Sequence, residues 1–279
     1  MAIHFNDSSI AQEPLGANSS RKRLITHARV RDTSVLLERW TLSGNSRAEI
    51  ALPESSITFF FVLQGQARWE WAGATREIND VHTGLLPLGF RGMISSSGGA
   101  ELLVAEVPEA LRFDKNIERN RPAFCAIDWR HEPLLNSQHD KRNRIYVATA
   151  KIIGTTALKA EMIIYPPSTS GSNHHHEGAA HFKYVLKGEG TGYTNEAPHR
   201  LRAGDIVYHY DRERHFSRTA ANERMEFIEF FVPGEYSTHW VDTSRVCTWL
   251  PSGTDSLGGD PSREIRAHTS AENASPEDV

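Results

Sequence analysis

The chain predicts an all-β fold built as two tandem β-barrels. Three observations carry this expectation. Short β-branched or aromatic runs recur along the 279 residues, cut by Gly, Asn, Asp and Pro turns, a pattern of sandwich and barrel strands. The runs fall in two blocks of the same texture, about 34–107 and 152–232. The blocks also share a register. Phe61-Val62-Leu63-Gln64-Gly65 matches Tyr184-Val185-Leu186-Lys187-Gly188, an offset of 188 − 65 = 123 residues. A repeat of that length reads as a duplicated domain rather than a solenoid.

Taken in order, residues 1–20 are polar and rich in Ser and Asn, and are expected as a flexible segment. The N-terminal barrel is expected over 21–107, with Ile57 to Leu63, Ala67 to Trp71 and Glu101 to Ala105 as its clearest strands. Its aromatic residues Phe59, Phe60, Phe61, Trp69 and Trp71 read as core or interface rather than as a second pocket. Residues 108–150 read as a partly helical or irregular connection. The C-terminal barrel is expected over 151–250, with strands at Glu161 to Tyr165, His181 to Leu186, Ile206 to Tyr210 and Met225 to Val232. From 251 to 279 the chain is mostly Ser, Gly, Asp, Pro and Glu, which reads as a disordered tail.

Composition excludes some functions. The net charge is −4, and Arg21-Lys22-Arg23 is a single short basic patch that reads as solvated surface. Nucleic acid is therefore not an expected partner. No apolar stretch approaches the ~20 residues that span a bilayer, so no membrane partner is expected. The first residues carry no charged-then-apolar leader, and export is not expected. Cys125 and Cys247 form neither a disulfide framework nor a Cys-x-x-Cys clip. A reducing cytoplasm is the expected location.

Chemistry concentrates in the second block. Seven of the 14 histidines (His174, His175, His176, His181, His199, His209 and His215) fall between positions 174 and 215. Neutral imidazole is the commonest protein ligand for first-row transition metals. Successive strand side chains point to opposite faces, so His174 and His176 share one face and His175 takes the other. His181 follows a short turn, and His215 arrives from a strand far along the chain. A barrel can aim His174, His176, His181 and His215 at one point, and these are the candidate metal ligands. Four imidazoles, or three with the fourth lining the pocket, leave coordination positions open. A second register, His175 with Glu177, would use the opposite face. His199 sits in a polar turn, and neither it nor His209 is counted among the ligands. Lys183 shares the strand face of His181. It reads either as a pocket cation for a substrate carboxylate or enolate, or as a lysine snorkelling at the barrel mouth. Subtracting 123 from the four histidine positions gives Ala51, Pro53, Thr58 and Gly92. None replaces an imidazole, so the N-terminal barrel is expected to be metal-free.

These residues resemble the cupin superfamily. Its first motif is His-x-His, three or four residues, Glu, six residues, Gly. Its second is Gly, five residues, Pro-x-Gly, two residues, His. His174 and His176 match the His-x-His, Gly188 the closing Gly, Gly204-Asp205 the opening of the second motif, and His215 its final His. His181 stands where the family has Glu, and Tyr210-Asp211-Arg212 replaces Pro-x-Gly. With the repeat, the whole chain resembles a bicupin whose N-terminal half is degenerate.

The resemblance implies a divalent transition metal, Fe(II) first, with Mn, Ni or Zn as alternatives. It implies O2 and a small anionic aromatic or dicarbonyl substrate as partners, in a non-heme dioxygenase that cleaves a C–C bond. It also implies pairing into a homodimer. Two other readings stay open: a non-redox metalloenzyme (hydrolase, isomerase or lyase) at the same site, as in ureidoglycine aminohydrolase-type bicupins, and a non-catalytic small-molecule-binding cupin. An all-imidazole shell leaves the full charge of the ion in place, which favours an anionic substrate and nitrogen-preferring metals.

Overall fold

The computed structural model describes residues 2–269. The chain forms two compact units. One comprises Asp7–Trp129 with Ile153–Ala157; the other comprises the chain up to Asn6, Arg130–Ile152, and the chain from Leu158 onward. Among the described residues, no helix is long and apolar enough to cross a membrane.

The N-terminal unit is an eight-stranded antiparallel barrel. Its two long strands, Leu36–Ala51 and Ile57–Trp71, each pair with Ala100–Val107 along their first halves and with Arg91–Ser96 along their second. Long strands that change partners midway carry the sheet around into a closed wall. The turn in Ile57–Trp71 is local. Its pairing slips between Val62 and Gln64, and Gly65 follows at φ 79°, where a Cβ would meet the Gly99 carbonyl oxygen at 2.2 Å. Only glycine fits that bulge.

The C-terminal unit holds a 13-stranded sheet that repeats this plan. Ile57–Trp71, Ala74–Asn79 and His82–Leu86 reappear 123 residues later as Ala180–Thr194, Ala197–Arg202 and Asp205–His209. The same bulge recurs between Val185 and Lys187. Gly188, at φ 72°, lies where a Cβ would sit 1.9 Å from the Arg224 carbonyl oxygen. The repeat read from five residues is therefore a repeat of backbone geometry.

The two interiors differ in chemistry. The N-terminal barrel is filled by apolar side chains, among them Trp40, Phe60, Trp69, Leu86 and Phe90. The C-terminal core joins Leu135, Tyr146, Ile163, Val185, Phe227 and Trp249 to a buried polar group that includes Arg144, Glu161, His176, His181, Lys183, His209 and His215.

Three expected boundaries are corrected. Residues 1–20 are not a loose segment: Ile3–Asn6 pairs with Asp205–His209 in the C-terminal unit, and Glu13–Ile25 pairs with Leu36–Ala51. Strand pairing uses backbone groups, which side-chain polarity conceals. The connection 108–150 has only short helical turns, at Ala110–Arg112, Ile117–Asn120 and Trp129–His131, with Ala150–Ile153 at its end. Its strand Cys125–Asp128 completes the N-terminal sheet, while Pro133–Ser137 and Asn143–Ala148 join the C-terminal one. The tail expected over 251–279 is ordered as far as described. Thr248–Asp255 pairs with Pro133–Ser137 and with His268–Thr269, and the Asp255 side chain takes hydrogen bonds from the Leu257 and Gly259 amides. Residues 270–279 lie outside the described residues.

Candidate metal centre

Three strands bring the imidazoles together. His174 and His176 lie on His174–Glu177, and His174 pairs directly with His215 at the start of His215–Arg218. His181 lies near the start of Ala180–Thr194, opposite His209 at the end of Asp205–His209. Directly opposed residues of an antiparallel pair face the same side. The ring centroids of His174 and His215 are 4.5 Å apart, those of His174 and His176 4.8 Å, and those of His176 and His215 5.2 Å. His181 lies 4.8 Å from His176 and 4.7 Å from His215. The four rings lie close together, but their nitrogens converge in two triads that share His215: His174 with His176, and His181 with His209.

Hydrogen bonds set which nitrogen of each ring is free. Nδ1 of His174 donates to the Ser172 carbonyl at 2.8 Å, and Nδ1 of His215 donates to the Glu213 carbonyl at 2.8 Å. A carbonyl only accepts, so both rings carry their proton on Nδ1 and leave the Nε2 lone pair open. Nδ1 of His176 lies 3.1 Å from the Thr238 hydroxyl. His181 is reversed: its Nε2 meets Glu229 Oε2 at 3.1 Å, and its Nδ1 is buried with no partner. One nitrogen from each of His174, His176 and His215 lies within 4.8 Å of the others, and the same holds for His181, His209 and His215.

These residues fit a transition-metal ion. His215 Nε2, His181 Nδ1 and both nitrogens of His209 are buried without a hydrogen-bond partner. An unsatisfied buried polar group costs about 1–3 kcal/mol, so this many in one place calls for a cation to take the lone pairs. The all-nitrogen donor set suits Fe, Ni, Cu or Zn. Burial pushes the His174 pKa down to about 3. It also pushes His176, His181, His209 and His215 well below the ordinary value, and neighbouring positive charges add to the effect. The rings are therefore neutral at pH 7 and need lose no proton to bind a metal.

Beside the cluster lies a cavity of about 40 Å³, lined in part by His174, His176, His215, Lys183, Arg142 and Glu229. Lys183 is buried, with its Nζ 3.4 Å from the Ser217 hydroxyl and 5.0 Å from the Phe227 ring centre. Burial lowers its pKa to about 8, with Glu229 opposing and Arg142 reinforcing that shift. Arg144 pairs with the buried Glu161 at 2.8 Å.

The expectation for Lys183 left two readings open, and the side chain points into the cavity. His199 stays outside the cluster, with its ring tilted against that of His4. His175 points away from the cavity, against His239. His209 was not expected among the ligands, yet its ring stacks 4.2 Å from His215. The repeat held the missing signal. In the N-terminal barrel Thr58 pairs with Leu86, and adding 123 to each gives His181 opposite His209. The same shift places Lys183 on Phe60 and His209 on Leu86, both buried in the other barrel. The apolar N-terminal interior thus fills the space that histidines and a lysine line in its counterpart. Glu229 and Arg142 carried no motif and were missed.

Residues 161–231 match the family described as Cupin domain. The oxalate-binding protein of Thermotoga maritima is 31% identical over 67 residues, 24% of this chain and 55% of that protein. The chain thus aligns with about half the length of that curated relative. Among solved structures, a deletion mutant of Bacillus subtilis oxalate decarboxylase superposes with a TM-score of 0.68 at 13% identity, covering 85% of this chain and 79% of that one. Another structure of the same enzyme, described for its Mn(II) centres, superposes with a TM-score of 0.67 at 13% identity over the same shares. At that identity the likeness is one of fold.

Proposed function

Because the chain is a two-barrel member of the cupin superfamily, we propose that it is a metal-dependent oxidoreductase. It cleaves a C–C bond of a small anionic dicarbonyl compound with O2. One observation carries the reading: three imidazoles with Nδ1 engaged and Nε2 left free line a cavity that also holds a buried lysine. His174, His176 and His215 would hold the ion through Nε2, and His181, its ring fixed by Glu229, would line the cluster with Nδ1 free. Bound there, Fe(II) supplies the redox chemistry that O2 requires and the charge that holds chelating oxygens; Mn, Ni or Zn would fit the same nitrogens.

The remaining work falls to the chain. Lys183 and Arg142 meet the anionic end of the substrate. With a pKa near 8, Lys183 keeps its proton at neutral pH and stays paired with that oxygen as charge shifts during cleavage. Phe227 and Phe231, which also line the cavity, exclude water. The cleaved C–C bond and one C–H bond of the carbon between the carbonyls together give up the four electrons that reduce O2; each fragment gains one oxygen atom, and the released proton goes to the new carboxylic acid. Size favours a compact dicarbonyl over an aromatic ring: cavities that take benzene are about 150 Å³, against about 40 Å³ here. The relative named an oxalate-binding protein supports a small carboxylate ligand. A homodimer in a reducing cytoplasm completes the proposal, in keeping with two unpaired cysteines.

The test is oxygen uptake by metal-free protein reloaded with Fe(II) or Zn(II), over a panel of dicarbonyl and phenolic acids. Uptake restored by Fe(II) alone supports the reading. An Fe(II)-loaded protein inert to O2 across the panel overturns it. A second reading, a non-redox metalloenzyme using Mn, Zn or Ni, draws on buried Lys183 and half-buried Glu229 as an acid–base pair beside the cluster. Turnover under argon would select it. Ligand binding with no turnover at any metal would select a binding protein.

A further inference from the structure

The strand His174–Glu177 has a second face. His175 and Glu177 project opposite to His174 and His176, and the cross-strand partner of His175 is His239. The His175 and His239 rings stack with centroids 5.1 Å apart and planes 13° from parallel. Both turn Nε2 toward one carboxylate oxygen: Glu177 Oε1 lies 3.3 Å from His175 Nε2 and 3.8 Å from His239 Nε2. One ligand atom of each residue lies within 4.8 Å of the others. In a tetrahedral site with bonds of about 2.0–2.2 Å, ligand atoms sit roughly 3.3–3.6 Å apart. The triad is within a few tenths of an ångström of that spacing along both measured edges. Arg212 Nη2 donates to the other oxygen, Oε2, at 3.2 Å, which leaves Oε1 aimed at the rings. The side chains are 21%, 31% and 49% exposed, so an ion can enter from solvent.

We propose that His175, Glu177 and His239 form a second metal site, on the outer face of the strand whose inner face carries His174 and His176. Two imidazoles and one carboxylate select Zn(II) over Mg or Ca and leave a fourth position to water. The Ser237 hydroxyl, 3.1 Å from His239 Nε2, swings aside when the ion binds. The site has a structural consequence. Among the described residues, Ser237–Trp240 is an edge strand that pairs only with His174–Glu177. Its Thr238 reaches inward to Nδ1 of His176, while its His239 faces out. A zinc ion on the outer face pins that strand in the register that orients His176.

The site is tested by Zn(II) equilibrium dialysis of metal-free protein, with Co(II) absorption reporting tetrahedral geometry. His239→Ala and Glu177→Gln should each lower the Zn(II) stoichiometry by one equivalent. His215→Ala, which disrupts the inner cluster, should keep the outer equivalent and its tetrahedral Co(II) bands. The changed residues on the outer face are partly exposed, and thermal melts of the metal-free variants confirm folding. Unchanged stoichiometry in both outer-face variants shows a hydrogen-bonded cluster only and overturns the proposal. So does loss of all Zn(II) from folded His215→Ala. The outcome does not depend on whether the inner site turns over any substrate.

Discussion

Replacing Thr238 by Val removes one hydroxyl and tests how the inner imidazoles are aimed. The Nδ1 protons of His174 and His215 go to backbone carbonyls, which no substitution deletes. Of the three rings that leave Nε2 free, only His176 relies on a side chain, the Thr238 hydroxyl at 3.1 Å. Val has nearly the same shape, so no cavity opens. Loss of a group that orients a metal ligand weakens metal affinity about 10- to 100-fold, or roughly 1.4–2.8 kcal/mol. The metal-free protein loses about 1–3 kcal/mol from the unpartnered His176 nitrogen, which a domain of ordinary stability survives. The assay is chelator competition for the bound ion, run in the His239→Ala background so that the outer cluster plays no part. Thr238→Ser, which keeps the hydroxyl, should restore affinity to within a few-fold of the parent. An unchanged dissociation constant in the Val variant, or equal loss in Val and Ser, would refute the role of that hydrogen bond.

Three further outcomes follow from the same geometry. Lys183→Met should lower kcat/KM roughly 10- to 150-fold, chiefly through KM, because a hydrogen bond to a charged group is worth about 1.5–3 kcal/mol; steady-state kinetics with unchanged KM would contradict this. His209→Leu places in the C-terminal barrel the residue that Leu86 supplies in the N-terminal one, and deletes two unpartnered buried nitrogens. The metal-free variant should gain about 1–3 kcal/mol in urea unfolding, and a loss of stability would contradict it. The pH dependence has a fixed sign. His174 titrates near 3 in the folded chain against an ordinary 6.5, so between those values the unfolded chain binds the extra proton. Metal-free stability should be full above about pH 6.5 and fall as pH drops toward 3; a urea midpoint that holds or rises between pH 7 and pH 5 would contradict it.

Much of the fold was legible because the repeat reports backbone constraint. Gly65 and Gly188 occupy the same bulge, where a Cβ would strike a carbonyl oxygen, so the glycine survives while its neighbours change. The inward aim of His174 and His176 was legible from strand alternation alone. Pairing between distant segments was not. His209 entered the cluster through its register opposite His181, and Thr238 through an edge strand beyond the recognised motifs. Arg142 and Arg144 were hidden because residues 108–150 read as a connection, whereas Asn143–Ala148 is a strand of the C-terminal sheet. Ile3–Asn6 was missed for the same reason: its four backbone partners lie some 200 residues away, and its side chains give no sign of them. The order beyond residue 251 rests on Asp255 and His268, polar residues satisfied by specific partners, where composition pointed to disorder.

The most direct measurement is anomalous diffraction at the iron edge from crystals grown anaerobically with Fe(II). A peak should lie between Nε2 of His174, His176 and His215 in the C-terminal barrel, with nothing inside the barrel lined by Phe60 and Trp69. Iron in the N-terminal barrel, or rings of the C-terminal cluster turned away from an empty centre at saturating Fe(II), would contradict it.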